Sequence, residues 1–232
     1  MFMKYRKIVQ GSFLTRPNRF IAHVRVDGNV EVCHVKHTGR CRELLLPESI
    51  VYLEESDNPA RKTKYDLVAV KKGEILVNMD SGAPNKVVDE WLKSGHCPLF
   101  AADEERKIKP EYKYGNSRID FYGEAGTRKI LMEVKGVTLE ENGVARFPDA
   151  PSERAVKHVK ELEKAVSEGY ECYVMFVVQM KGVSCFTPNK DTQPEFCQVL
   201  RQAEKAGVKV LAYDCKVRED ELMLSEPVEV CL

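Results

Sequence analysis

SRIDFYGEAGTRKILMEVK, Ser117 to Lys135, is the stretch from which the rest of the chain is read. In SRIDFY, Ile119 and Phe121 are apolar, while Arg118 and Asp120 are charged. In KILMEVK, Ile130, Met132 and Val134 share one phase, and Leu131, Glu133 and Lys135 share the other. Both runs have the period of two expected of strands. A hairpin with its loop at Ala125 to Arg128 sets Asp120 opposite Glu133, Phe121 opposite Met132 and Ile119 opposite Val134. That register gathers the apolar residues on one face and places Asp120, Glu133 and Lys135 together on the other. A slip of one residue breaks both sets at once. Two carboxylates beside a lysine suit a divalent cation and an activated water, so these three are the candidate catalytic residues. The bland alternative is a solvated sheet face with a Lys–Glu pair of little energetic weight.

Upstream, residues 4 to about 80 read as short strands and turns. Candidate strands are Ile8 to Phe13, Phe20 to Val26, Val30 to Val35, Ile50 to Glu54, Tyr65 to Val70 and Ile75 to Met79. Asp27-Gly28-Asn29 is a hairpin turn signal. Thr38 to Leu46 breaks the pattern as a turn with one possible helical turn, ended by Pro47. Five or six short strands without a long helix predict a small barrel of OB type, a fold often used for single-stranded nucleic acid. The composition shifts near Ala83-Pro84-Asn85. Beyond it a helix is expected over Asn85 to Lys93 and a strand near Ile108 to Tyr114. After the hairpin follow a helix from the Ser152 cap to about Ser167, a buried strand over Cys172 to Gln179, a helix over Pro194 to Ala206 and a strand over Val208 to Tyr213. The expectation is two domains, an all-β barrel over 1–82 and an α/β unit with a mixed sheet over 83–232.

The 232 residues carry 36 Lys plus Arg and 36 Asp plus Glu, so total charge does not demand a nucleic-acid partner. Residues 1 to 85 hold 14 basic against 10 acidic groups, a modest basic lean. Arg16, Arg19, Arg40, Arg42, Arg61 and Lys62 fall in the barrel's turns and are candidates for phosphate contacts. Phe13 and Phe20 suit core packing better than base stacking. The chain shows no apolar run of the roughly 20 residues a membrane span needs and no signal-peptide core. The eight cysteines are scattered without a CxxC. A cytoplasmic protein with reduced thiols and no membrane partner is expected. Cys33, His34, His37 and Cys41 lie close in sequence, but their spacing is no recognised zinc set, and strand neighbours alternate faces. Oligomeric state is not legible.

Asp-Phe and Glu-Val-Lys on consecutive strands, between helices, resemble the PD-(D/E)xK nuclease core. More narrowly, the chain resembles the sugar fermentation stimulation protein A (SfsA) family nearly end to end. The stretches that carry this are RPNRF (16–20), HTGRCRELL (37–45), NPARKTKYDL (58–67), APNKVV (83–88), YGNSRIDF (114–121), MEVKGVTL (132–139), FPDAPSERAVKH (147–158) and AGVKVLAY (206–213). Departures from the family pattern are His37, Met79 to Gly82 and Gly136; none touches the acids.

The resemblance implies an OB-like barrel, a nuclease-like domain and binding of DNA, ahead of RNA, with little sequence specificity. It implies Mg²⁺ or Mn²⁺ on Asp120 and Glu133, with the Val134 carbonyl as a third ligand, and Lys135 orienting water. Lys157 would contact phosphate. From their own positions, Arg118 on the Asp120 face either contacts phosphate or neutralises the acids, and Glu111, Asp149 and His158 are accessory candidates. The expected function is a metal-dependent nuclease. The alternative is a non-catalytic DNA-binding regulator linked to sugar (maltose) metabolism.

Overall fold

The structure, a computed structural model, describes residues 3–37, 39–101 and 103–232. Thr38, part of an expected turn, lies outside them. The first half holds β1 (Met3–Lys4), β2 (Ile8–Asn18), β3 (Ile21–Val26), β4 (Asn29–Val35), β5 (Ile50–Glu55), β6 (Tyr65–Lys72) and β7 (Ile75–Asn78). It is followed by α1 (Ala83–Lys93), β8 (Arg106–Tyr114), β9 (Ser117–Ala125), β10 (Arg128–Val137), β11 (Leu139–Glu141), β12 (Val144–Phe147) and α2 (Glu153–Ser167). The chain ends with β13 (Glu171–Val178), β14 (Cys185–Pro188), α3 (Pro194–Ala206), β15 (Lys209–Arg218), β16 (Glu221–Pro227) and β17 (Glu229–Val230).

The sheet runs β4-β3-β2-β5-β6-β7, and its first five strands close into a barrel through parallel pairing of β4 with β6. Closure removes the exposed edge that a five-strand sheet would otherwise present. Asp27 and Gly28 both have positive φ, and Val26 pairs with Asn29, so the β3–β4 turn is the two-residue type that suits strand twist. Val24, Cys33, Leu53 and Leu67 fill the interior at complete burial.

The second unit is a seven-stranded mixed sheet, β1-β16-β15-β13-β10-β9-β8, beside a small sheet β11-β12-β14-β17. β13 lies parallel between β10 and β15, and helices cover both of its faces. Its continuous apolar run, ECYVMFVV, follows from that double cover. One face packs on α2 and α3 through Val159, Leu162 and Leu200; the other packs on α1 through Val88 and Leu92. The three helices fall close to their expected spans. The short second sheet and β16 have no counterpart in the expected order, because their runs are too short or too mixed for a period to register. β1 also departs from the expected division, since Met3 pairs with Leu222 and the chain's start therefore belongs to the α/β sheet.

Candidate active site

The β9–β10 register holds as expected from Arg128 against Ala125 to Met132 against Phe121. There the ladder opens. The Val134 N–H donates to Asp120 Oδ2 at 2.7 Å. Asn85, at the start of α1, donates to Asp120 Oδ1 at 2.8 Å. The expectation that the hairpin's apolar residues share one face fails. Leu131 and Tyr122 are buried with the α2 cluster, and Ile130 and Met132 with the α1 cluster. Ile119 and Phe121 do not share a face either: Ile119 joins the α2 side and Phe121 the α1 side. The strand changes phase at Asp120, the residue whose side chain takes over a backbone hydrogen bond.

Glu133 and Lys135 follow Leu131 along the α2 face. Glu133 is 2% exposed. Its Oε1 accepts from Lys135 Nζ at 2.5 Å and from the ring Nδ1 of His158. Its Oε2 is buried without a hydrogen-bond partner. His158 projects from α2, whose N-terminus is fixed by Ser152 Oγ accepting from the Ala155 N–H at 3.2 Å. Arg154 Nε approaches His158 Nε2 at 3.5 Å, so Nε2 is the acceptor and Nδ1 carries the proton toward Glu133. Burial and the neighbouring Glu133 charge push the Asp120 carboxyl above its ordinary range, against the Val134 N–H, Lys135 and Asn85. Burial pushes Glu133 up as well, but the His158 hydrogen bond and the Lys135 ammonium outweigh it and hold it below its ordinary value. The two carboxyls are thus driven apart, one toward accepting a proton and one fixed as an anion.

The other candidates separate. Lys157, next to His158 on α2, points away and donates to the Asn116 carbonyl at 2.9 Å. With Arg118 and Arg154 it lines an open cleft of about 520 Å³ beside His158. Glu111 is exposed on β8 and pairs with Arg118 at 3.3 Å. Asp149 lines a second cavity with His37 and Gly39, and its carboxylate lies close to Cys41. Arg16, Arg19, Arg40 and Arg42 line one groove on the barrel. There the Arg16 guanidinium is spent on the carbonyls of Arg19, His37 and Arg40. Arg61 is spent on Asp66, with contacts of 2.6 and 2.8 Å, while Lys62 is exposed. Phe13 packs in the core, but Phe20 is 46% exposed with the Arg19 guanidinium 4.9 Å over its ring. Sequence reasoning missed Asn85 and Arg154. Asn85 lay in APNKVV, but nothing in its spacing tied it to Asp120.

Hard divalent cations take oxygen ligands. Two carboxylates with one buried, unpartnered oxygen suit such an ion, and water would complete its shell. No helix among the described residues is long and apolar enough to cross a membrane.

Known proteins bear on the fold and the family. Residues 82–221 match the sugar fermentation stimulation protein RE domain, and residues 14–79 match the SfsA N-terminal OB domain. A sugar fermentation stimulation protein homolog of Desulfitobacterium hafniense is 58% identical over 230 residues, covering 99% of each chain. One from Clostridium beijerinckii is 53% identical, covering 99% of this chain and 100% of its own. The structure of Pyrococcus furiosus SfsA in complex with Ca²⁺ superposes with a TM-score of 0.86 at 27% identity, covering all of both chains. The chain belongs to the sugar fermentation stimulation protein family.

Proposed function

We propose that the chain is a metal-dependent phosphodiesterase acting on nucleic acid, DNA ahead of RNA. The observation that carries this is the convergence of Asp120, Glu133 and Lys135 with a bare, buried Glu133 Oε2. Asp120, Glu133 and the Val134 carbonyl would hold Mg²⁺ or Mn²⁺. When bound, the ion supplies charge to polarise the phosphodiester and lower the pKa of a water. His158 fixes the Glu133 carboxylate, and Asn85 fixes Asp120, so neither acid reorients during turnover. Lys135, released from Glu133 Oε1, donates to the attacking water and to the charge growing on the phosphate. Arg118 and Lys157 line the adjoining cleft, where a phosphate backbone can lie. Arg19, Arg40 and Arg42, with exposed Phe20, offer the barrel's grip through charge and stacking. The Ca²⁺ complex of the Pyrococcus furiosus relative supports a cation in this family.

The test incubates purified protein with labelled single- and double-stranded DNA and RNA plus Mg²⁺ or Mn²⁺. Cleavage is expected, and Asp120→Ala and Glu133→Ala are expected to abolish it. Cleavage that survives both substitutions overturns the assignment. Affinity should fall with salt, and Arg40→Glu with Arg42→Glu should weaken binding and flatten that slope.

A second reading is a non-catalytic DNA-binding regulator connected to sugar use, in keeping with the relatives' names. It is favoured by one observation: Asp120 and Glu133 are already held by Asn85, Val134, Lys135 and His158 within the chain. Salt-sensitive DNA binding without cleavage under any metal would select it.

A further inference from the structure

His37 and Cys41 leave the barrel just after β4, and Asp149 lies in the loop between β12 and α2. The three meet at the boundary between the barrel and the α/β unit. One ligand atom from each falls within 4.8 Å of the other two, the only such His/Cys/Asp/Glu group found among the described residues. The Sγ of Cys41 lies 3.2 Å from His37 Nδ1. A tetrahedral ion with ordinary Zn–S and Zn–N bonds sets these atoms about 3.5 Å apart.

Four further features mark the place as built to bring these groups together. Asp149 Oδ2 is buried and has no hydrogen-bond partner. A Cβ on Gly39 would lie 1.9 Å from that same oxygen and 2.6 Å from His37 Cε1, so only glycine leaves room for the carboxylate. The other ring nitrogen of His37, Nε2, contacts Thr138 Oγ1 at 3.3 Å. Metal-bound histidines are characteristically oriented by such a partner on the second nitrogen. The Arg16 guanidinium donates to the His37 and Arg40 carbonyls and so clamps the segment that carries two of the three groups.

We propose that His37 Nδ1, Cys41 Sγ and the Asp149 carboxylate bind one zinc-class divalent cation, separate from the Asp120–Glu133 site, that fastens the barrel to the α/β unit. Thiolate, carboxylate and neutral imidazole together balance a dication, with the thiol proton leaving to solvent and the Gly39 N–H giving up its place on Nδ1. His37 and Asp149 line a cavity of about 380 Å³ with Arg19, Ser81, Thr138 and Ser152, from which water would complete the shell. A Cys–His nucleophile is the competing use of the pair. Cys41 is 1% exposed, so its sulfur is enclosed and out of reach of a substrate. Asp149 is the partner that local spacing concealed, since it lies 108 residues beyond Cys41.

The test loads the full chain with Zn²⁺ or Co²⁺ after chelation. Native mass spectrometry should show one zinc retained. The cobalt form should show a thiolate-to-metal absorption band in the near ultraviolet. Cys41→Ser should abolish the band, and Asp149→Asn should weaken retention by at least about tenfold, as loss of even an orienting partner does. The doubly substituted Asp120→Ala, Glu133→Ala protein should keep both signals, which separates this site from the nuclease reading. A cobalt band unchanged in Cys41→Ser places the metal on another thiol and overturns the proposal. So does a folded wild-type chain that retains no zinc and shows no band. Should Cys41→Ser fail to fold, Asp149→Asn decides: retention equal to wild type overturns the assignment.

Discussion

Glu133 is where the site's electrostatics are most exposed to test. Its carboxyl titrates below the ordinary value of 4.5 in the folded chain, because His158 and Lys135 more than offset its burial. Ionised Glu133 therefore adds stability in full above the unfolded value, and that stability is lost as pH falls through the lower folded value. Glu133→Gln keeps the shape but removes the charge facing the Lys135 ammonium. It should cost about 1.5–3 kcal/mol at neutral pH, the usual weight of hydrogen bonds to charged groups. Thermal melts of both proteins should converge only in acid, as pH falls through the depressed folded value and wild type loses the same charge. A gap that persists undiminished into acid would mean packing, not charge, is what Glu133 supplies. Asp120 has the opposite sign. Its folded carboxyl titrates above the unfolded value, so ionising it costs stability as pH rises through that window. Alternation alone put Asp120, Glu133 and Lys135 on one face; the structure joins Glu133 to Lys135 and seats Asp120 on Asn85 and the Val134 N–H. Their holders were not legible, because Asn85 and His158 reach the acids from helices whose rotation no local pattern specifies.

At the scale of elements, the hairpin register was readable down to Phe121 against Met132, because a period of two leaves only one pairing that keeps like residues together. What misled was the assignment of all the apolar residues to one face. A strand covered on both sides still alternates, and only the helices that cover it reveal that Leu131 and Met132 are equally buried. α2 was predictable from its cap and apolar stripe, and it delivers His158 to Glu133. Ser152→Ala removes the Oγ that accepts from the Ala155 N–H. It should destabilise the chain by about 1 kcal/mol in denaturant melts. Because the loss sits near His158 on the same helix, the proposed cleavage activity should fall by a larger fraction than the folded population does, measured at a temperature where both proteins are folded.

The whole molecule behaves as one body because its two halves share a core and a junction. Barrel residues Val35 and Leu67 belong to the same continuous apolar cluster as Val156 of α2 and Phe176 of β13. Where β7 ends, the Asn78 N–H donates to the Gln179 carbonyl at 2.9 Å, and the Gln179 N–H continues to Val137 of β10 at 2.9 Å. The Gln179 side-chain amide donates to the Asn78 carbonyl, the Asn78 side chain and the Asp80 carbonyl. Lys72 adds a pair with Glu140 across the same boundary. None of this was visible in sequence, where a compositional shift at residue 83 suggested two separable units. Gln179→Ala strips three buried acceptors of their shared donor, a loss of roughly 1–3 kcal/mol. Trp91, the chain's single tryptophan, lies in α1 of the α/β unit, and its fluorescence reports that half alone. Far-ultraviolet circular dichroism reports the barrel strands as well. In the wild-type chain the two signals should give one coincident transition in denaturant. In Gln179→Ala both should move together to lower denaturant, since a shared core lets neither half persist without the other. A barrel signal that melts apart from Trp91 in either protein would show that the junction, and not a continuous core, is all that joins them.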